Sequence, residues 1–383
     1  MKRYSGWMLS LSLVFGPALP GLGTATGTLP PDHHVNAAAG HKAAPVTAAD
    51  ETLALLPKSD AVLLFDAGRL INDVLPKIKA AWPQQSGRLT QELDDLTSRT
   101  GVDLSKVKTI TMGFNMSGKT TTGAVILDGL TLDQSKLDAL LKEVKAEKTG
   151  TVSYKSKTIY LVKAVKKEEK KDGDKADKEN TRQPTSTSAE SLVGTVTDTV
   201  GLKLDDETAF TQLDQTRVVL GDQVGVKAVI DAAASPTPNL NNALNGALKE
   251  TRATGLIRFA ISIPESTRQM LAGQDYFKDL AAVQMVSGAL DVSDELSLLL
   301  DAKLRTPSPA EASKIEASLN GLVAIGKMML GGNQEPLMQA LTQLLNEIKI
   351  GAQTSDVTLG LKIPRALFDQ AFKADPKKAG SQK

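Results

Sequence analysis

No cysteine occurs anywhere in the 383 residues of the chain. Disulfides, thiolate nucleophiles and thiolate metal sites are excluded together. Histidine is nearly as scarce: His33, His34 and His41 are the only three, and all precede residue 42. Beyond that point no imidazole can act as base, nucleophile or ligand, which removes the commonest hydrolase and metalloenzyme designs. Aromatic residues make up 4% of the chain, too few for base-stacking platforms. Basic and acidic residues number 45 and 44, so no net field favours nucleic acid or an anionic membrane. Nucleic acid is not expected as a partner.

What is present is ordinary for a globular protein, with 41% hydrophobic and 23% charged residues and length for two domains. Residues 1–27 read as a secretory signal. Lys2 and Arg3 precede an apolar run from Trp7 to Leu22, broken by Pro17 and Pro20, and the small residues Gly23 to Gly27 come next. The run is shorter than the ~20 residues of a spanning helix, so cleavage is expected rather than anchoring. The expected location is periplasmic or secreted, with no stable membrane insertion after cleavage. Residues 28–52 are rich in Pro, Ala and Gly and read as a flexible linker, in which the three histidines form no metal site.

The folded part is expected from Leu53. Ala61 to Phe65 fits a buried strand, with Asp66 capping a helix that carries Leu70, Ile71, Val74, Leu75 and Ile78 and is ended or kinked by Pro76 and Pro83. Ser86 to Thr100 predicts a second helix, with Gly101 at its C-terminal stop. Val107 to Phe114 and Thr120 to Leu127 are β-branched runs around a short polar link. Thr131 and Gln134 spell a capping box for a helix presenting Leu137, Leu140, Leu141 and Val144. A strand is expected over Tyr154 to Val162, then a disordered insertion over residues 165–199. Hairpin strands around Asp214-Gln215 and a helix capped by Asp222 complete a first module, residues 53–235.

The downstream half repeats the plan. Leu280, Val283 and Val286 match Leu104, Val107 and Ile110 at a constant offset of 176. Ile315, Leu319 and Leu322 match Leu137, Leu141 and Val144 at 178, after a second capping box at Ser308 and Glu311. Phe368 and Phe372 echo Val226 and Ile230 at 142. The second module is placed at residues 254–374, and residues 375–383 read as a disordered tail.

One stretch spells a catalytic motif. Gly113, Gly118, Lys119 and Thr120 satisfy G-x-x-x-x-G-K-[ST], the loop whose backbone and lysine cradle phosphates. That loop needs a helix beginning at the lysine, and Thr120 to Leu127 is a strand-forming run instead. The repeat also sets Ala289, Asp294 and Glu295 opposite Gly113, Gly118 and Lys119. A β-hairpin tip is the favoured reading, and a nucleotide- or phosphate-binding enzyme the alternative. Ser105 and Lys108 form an isolated S-x-x-K spacing without companion motifs. Asp60, Asp66, Asp94, Asp95 and Asp128 single out no acid/base pair. Met328, Met329 and Met338 point to core or interface, and residues 321–332 to a buried or partner-facing helix.

Leu55-Leu56-Pro57-Lys58-Ser59-Asp60, with Asp66, Arg69 and Leu75-Pro76, resembles uncharacterised exported bacterial proteins that open on a leucine-proline-x-x-aspartate strand. The segments Arg217 to Asp222 and Lys227 to Asp231 carry the same likeness. The resemblance implies an exported protein with duplicated α+β modules and brings no catalytic residues. The expected fold is therefore α+β, two related modules, each a mainly antiparallel sheet with helices packed on one face. The expected function is a non-enzymatic binding or structural protein of the bacterial cell envelope. Its partner would be an envelope protein or a small apolar ligand, with no catalytic residue, cofactor or metal.

Overall fold

The computed structural model describes residues 48–116, 121–143, 145–164, 207–235, 241–275, 277–330 and 336–373. Its β-branched runs form twelve strands: β1 Ala61–Asp66, β2 Thr109–Asn115, β3 Thr122–Asp128, β4 Ala146–Tyr154, β5 Lys157–Ala164 and β6 Thr208–Gln212. The remaining six are β7 Arg217–Gly221, β8 Ile257–Ser262, β9 Met285–Val292, β10 Leu298–Arg305, β11 Lys349–Gln353 and β12 Asp356–Ile363. All join in one sheet of order β11-β12-β10-β9-β8-β1-β2-β3-β7-β6-β5-β4, antiparallel throughout. The two halves of the chain meet where β1 pairs with β8, with Val62 opposite Ala260 and Leu64 opposite Arg258.

The helices are α1 Ala48–Leu53, α2 Ala67–Arg69, α3 Leu75–Ala81, α4 Pro83–Thr100, α5 Gln134–Glu143 and α6 Gln223–Ala234. Then come α7 Asn242–Glu250, α8 Glu265–Ala272, α9 Pro309–Leu330, α10 Pro336–Glu347 and α11 Arg365–Lys373. The α+β class holds, but the helices are not confined to one face. Over β1 to β7, one core takes Val62, Leu64, Ile126 and Val219 with α6 and α7. A second core takes Phe65, Leu127 and Val218 with Leu137 and Leu141 of α5. Val218 and Val219 are neighbours, both wholly buried, in different cores. Strands apolar at consecutive positions need cover on both sides.

Over β9 to β12 the one-face arrangement is seen. Ile315 and Leu319 of α9 pack on Val286, Leu304 and Val357. The other side of β10 carries alternate residues with charge: Arg305 bonds Asp356 at 3.0 Å, Lys303 bonds Glu250 at 2.9 Å, and Asp301 pairs with Arg252. Period-two alternation separates an apolar face from an ionic one.

Several local expectations change. Residues 48–52, placed in the linker, are helix α1, whose Thr52 hydroxyl meets Thr111 at 2.5 Å. The capping box at Thr131 is not formed: Asp133 accepts the Lys136 N–H at 2.9 Å, and Thr131 donates to the Gln215 carbonyl. A carboxylate one residue before the helix outcompetes a hydroxyl three before it. Pro76 breaks nothing, because a π turn over Leu70–Val74 widens the backbone just ahead of it. Pro83 does stand where the first helix stops, since α3 ends at Ala81 and Trp82 is non-helical, and it also opens α4. The single strand at Tyr154 to Val162 is a hairpin, β4–β5, turning on Lys155 and Ser156 with φ of 44° and 61°. Helix α7 fills the gap left between the two expected modules and buries Leu244, Ala247 and Leu248. The insertion at 165–199, the signal, the histidines and the tail at 375–383 lie outside the described residues.

Asp222 ties α6 to the sheet. Its Oδ1 accepts the N–H groups of Val224 and Gly225 at 2.9 Å each, and its Oδ2 accepts that of Gly123 in β3 at 2.5 Å. A Cβ on Gly225 would overlap the Gly123 carbonyl. Replacing Gly by Ala inside a helix ordinarily stabilises by up to about 1 kcal/mol. Gly225→Ala is expected to do the opposite, and Asp222→Ala to lose about 1–3 kcal/mol. Urea unfolding of both variants checks this; a Gly225→Ala midpoint above wild type would contradict the close approach.

Candidate functional site

Gly113 of the phosphate-loop spelling sits inside β2, opposite Ala124 of β3. Gly118, Lys119 and Thr120 lie outside the described residues. The next element along the chain is strand β3, antiparallel to β2, in the place where the loop would need a helix to present its N–H groups. The glycines have another reason to be glycine. A Cβ on Gly113 would stand 2.6 Å from the Ser59 hydroxyl and 3.0 Å from Leu56, and one on Gly123 would overlap Phe114. Close packing of the segment before β1 onto β2 accounts for Gly113, and the tight β2–β3 approach for Gly123.

The other sequence candidates are dispersed. Ser105 donates to Asp103 at 2.5 Å in a turn before β2, and that bond holds the Asp103 carboxyl below its ordinary range. Asp60 accepts the Met116 N–H at 2.9 Å, and Asp66 caps α2 through the Arg69 N–H at 2.8 Å. Asp294 is drawn to Lys77 at 2.5 Å, which lowers its pKa. These carboxylates serve caps and pairs on separate elements.

Sequence reasoning missed one polar cluster because it depends on the β4–β5 hairpin. Tyr154 and Lys155 at its turn reach across to Asp231 of α6. The phenol donates to both carboxylate oxygens at 3.0 Å, and the ammonium lies 2.7 Å away. The hydrogen bond to Asp231 raises the Tyr154 pKa and that of Lys155. The Lys155 bond, followed by the Tyr154 bond, lowers that of Asp231. A phenol and an amine held protonated are poor bases and nucleophiles, so the cluster fastens the hairpin to the helix.

A surface of a different kind lies on α9 and α10. The first turns of α9 bury Ala312, Ile315 and Leu319 against the sheet. Beyond Leu322 the helix remains apolar and leaves the core. Ile325 is 53% exposed, Met328 79% and Met329 55%, with Leu341 of α10 at 37%. Met328 and Met329 are therefore not core. Gly326 lets α10 approach, since a Cβ there would lie 3.0 Å from Leu345. Residues 317–330 contain one charge, Lys327, and residues 336–346 none. Charge-poor, exposed and apolar together make this face a candidate recognition surface. Among the described residues no helix is long and apolar enough to cross a membrane.

The Asp231 cluster has a defined pH response. A carboxyl whose folded pKa is depressed stabilises the fold above its unfolded value, about 3.9, and stops doing so as pH falls through the folded value. The raised Tyr154 and Lys155 contribute below about 10 and stop as pH rises through their folded values. Asp231→Asn is expected to lower Tm at pH 7 and to match wild type in acid below the folded pKa. Thermal melts across pH 2–8 check it, and a constant gap would remove the coupling.

No family model matches the chain, and no curated protein matches it. Among solved structures, crystal forms I and III of TP0453, a Treponema protein, are similar at 9% and 8% identity. Each alignment covers 84% of this chain, and 96% and 97% of those chains, with TM-scores of 0.38.

Proposed function

We propose that the chain is an exported, non-enzymatic binding or structural protein of the bacterial cell envelope, built from two related modules. An envelope protein would dock on its α9–α10 face. The observation that carries the reading is the exposed apolar surface of Ile325, Met328, Met329 and Leu341. Unbranched methionine adapts to a partner's shape, and loss of charge is typical of the centre of a protein interface. Apart from the single Lys327, the polar positions nearby are Asn, Gln, Ser and Thr rather than the several Lys and Arg of a helix lying on anionic lipid, which favours a protein over a bilayer. Side chains this exposed cannot enclose a small apolar ligand.

The module relationship is supported by spacing and by sheet order. β2 and β9 begin at Thr109 and Met285, and β3 and β10 at Thr122 and Leu298, with an offset of 176 in both pairs. α6 and α11 begin at Gln223 and Arg365, an offset of 142. Outward from the centre the orders are β1-β2-β3-β7-β6 and β8-β9-β10-β12-β11. The first copy would then differ by its β4–β5 hairpin. Export rests on the basic, apolar and small-residue sequence of residues 1–27.

A photo-crosslinker at Met328 in living cells should capture a discrete protein, while one at Met270, an exposed methionine away from this face, should not. Met328→Asp with Met329→Asp should abolish capture by a crosslinker at Ile325 and leave Tm near wild type. Lipid-only adducts, or the same products from both positions, would overturn the docking face. The exported protein should begin near residue 28 on N-terminal sequencing; retention of residues 1–27 would contradict cleavage.

A further inference from the structure

Where the ends of β1, β2 and β8 come together, beside the end of α7, the surface opens into a cavity of about 500 Å³. That volume suits a small organic molecule. Asp66, Arg69, Asp73, Lys108 and Arg258 stand in its wall, with Thr109 among them.

The charges in this wall are not all spoken for. The Asp66 carboxylate accepts the Arg69 N–H, and the Arg69 guanidinium is paired with Asp291 at 2.7 Å. Lys108 makes no ion pair among the described residues. Arg258 is 9% exposed, yet no carboxylate pairs with it there. Its Nε donates to the Thr251 hydroxyl at 3.1 Å and its Nη2 to the Leu248 carbonyl at 2.9 Å. The carbonyl end of α7 favours a cation but does not replace a counter-charge. Thr109 is 8% exposed and its hydroxyl has no partner among the described residues, whereas nearly all buried polar groups are bonded.

Register brings these two residues to one face. Thr109 stands opposite Asp66 and Arg258 opposite Leu64, on either side of β1. Asp66 and Leu64 are two residues apart, so both partners project from the same side, roughly 12 Å apart across two strand spacings and a two-residue stagger. An under-paired buried guanidinium and an orphan hydroxyl share one face at this cavity, and Lys108, which makes no ion pair among the described residues, is part of its wall.

We propose that this cavity binds a small organic carboxylate, held by Arg258 and Lys108 and hydrogen-bonded by the Thr109 hydroxyl. Asp73 on the same wall would accept from an amine or hydroxyl of that molecule, which favours a carboxylate with a second polar group over a simple fatty acid. The site is separate from the α9–α10 face and does not depend on it.

Calorimetry of the full chain with glutamate, succinate and inorganic phosphate tests it. Glutamate should give saturable heat, tighter than succinate, which offers Asp73 no donor, and weakened about three- to tenfold in Thr109→Val and in Lys108→Gln, one hydrogen bond or ion pair each. Thr109→Val keeps the side-chain shape, so a fold that melts like wild type isolates the hydroxyl. The variant carrying Met328→Asp and Met329→Asp should bind the carboxylate unchanged. Saturation by phosphate alone would overturn the carboxylate assignment. No saturable heat with any of the three, or equal binding in wild type and both cavity variants, would overturn the site.

Discussion

The pairing of β1 with β8 is the join on which the rest of the molecule depends. It runs from Ala61 opposite Ile261 to Phe65 opposite Ile257. Asp66 N–H to the Leu256 carbonyl at 2.9 Å and Ser262 N–H to the Asp60 carbonyl at 2.7 Å extend it at both ends. Without it the sheet would divide into two, each ending on an apolar edge strand, the arrangement that invites uncontrolled pairing. With it, Val62, Ala260 and Met285 contribute to one core spanning both halves. The contact brings together segments almost 200 residues apart, so its closure entropy must be met by surface already buried on each side.

Much of the framework is legible in the sequence because local chemistry sets it. Asp66 and Asp222 cap where a carboxylate precedes an apolar helical stripe, and Gly101 stops α4 in the left-handed conformation at φ 66°. The β2–β3 hairpin is signalled by two β-branched runs and a short polar link. The elements that sequence reasoning misses lack a local signal. β4 is half polar, with Glu147, Lys148 and Ser153 along it, and its turn uses Lys155-Ser156 rather than an Asn-Gly pair. α7 comes after a proline-rich segment that reads as a boundary. The helices on both faces are foreshadowed by Val218-Val219 and Ala124 to Ile126, apolar at every position, but such runs announce a buried strand without naming what covers it.

The candidate surfaces divide the same way. The glycine-lysine-threonine spelling is conspicuous in sequence, yet its described glycine is fixed by contact with Ser59 and Leu56. The cavity is invisible in sequence. Lys108, Thr109, Arg69 and Arg258 are unremarkable singly, and the β1–β2 and β1–β8 registers gather them. Met328 and Met329 stand out in sequence, but their exposure depends on the length of α9.

That length explains the uncovered face. A helix of 22 residues is about 33 Å long, whereas an eight-residue strand spans about 27 Å and four adjacent strands are about 15 Å across. α9 outruns the surface of β9 to β12 along either dimension. Ala312, Ile315 and Leu319 find the sheet, while beyond them α10 approaches α9 at Gly326. An overhang of polar residues would be solvated at little penalty. This one is apolar on more than one side, while the ionic face of β10 shows that the same half places charge freely where water is met. The exposed methionines of this overhang are therefore the surface on which the proposed docking rests.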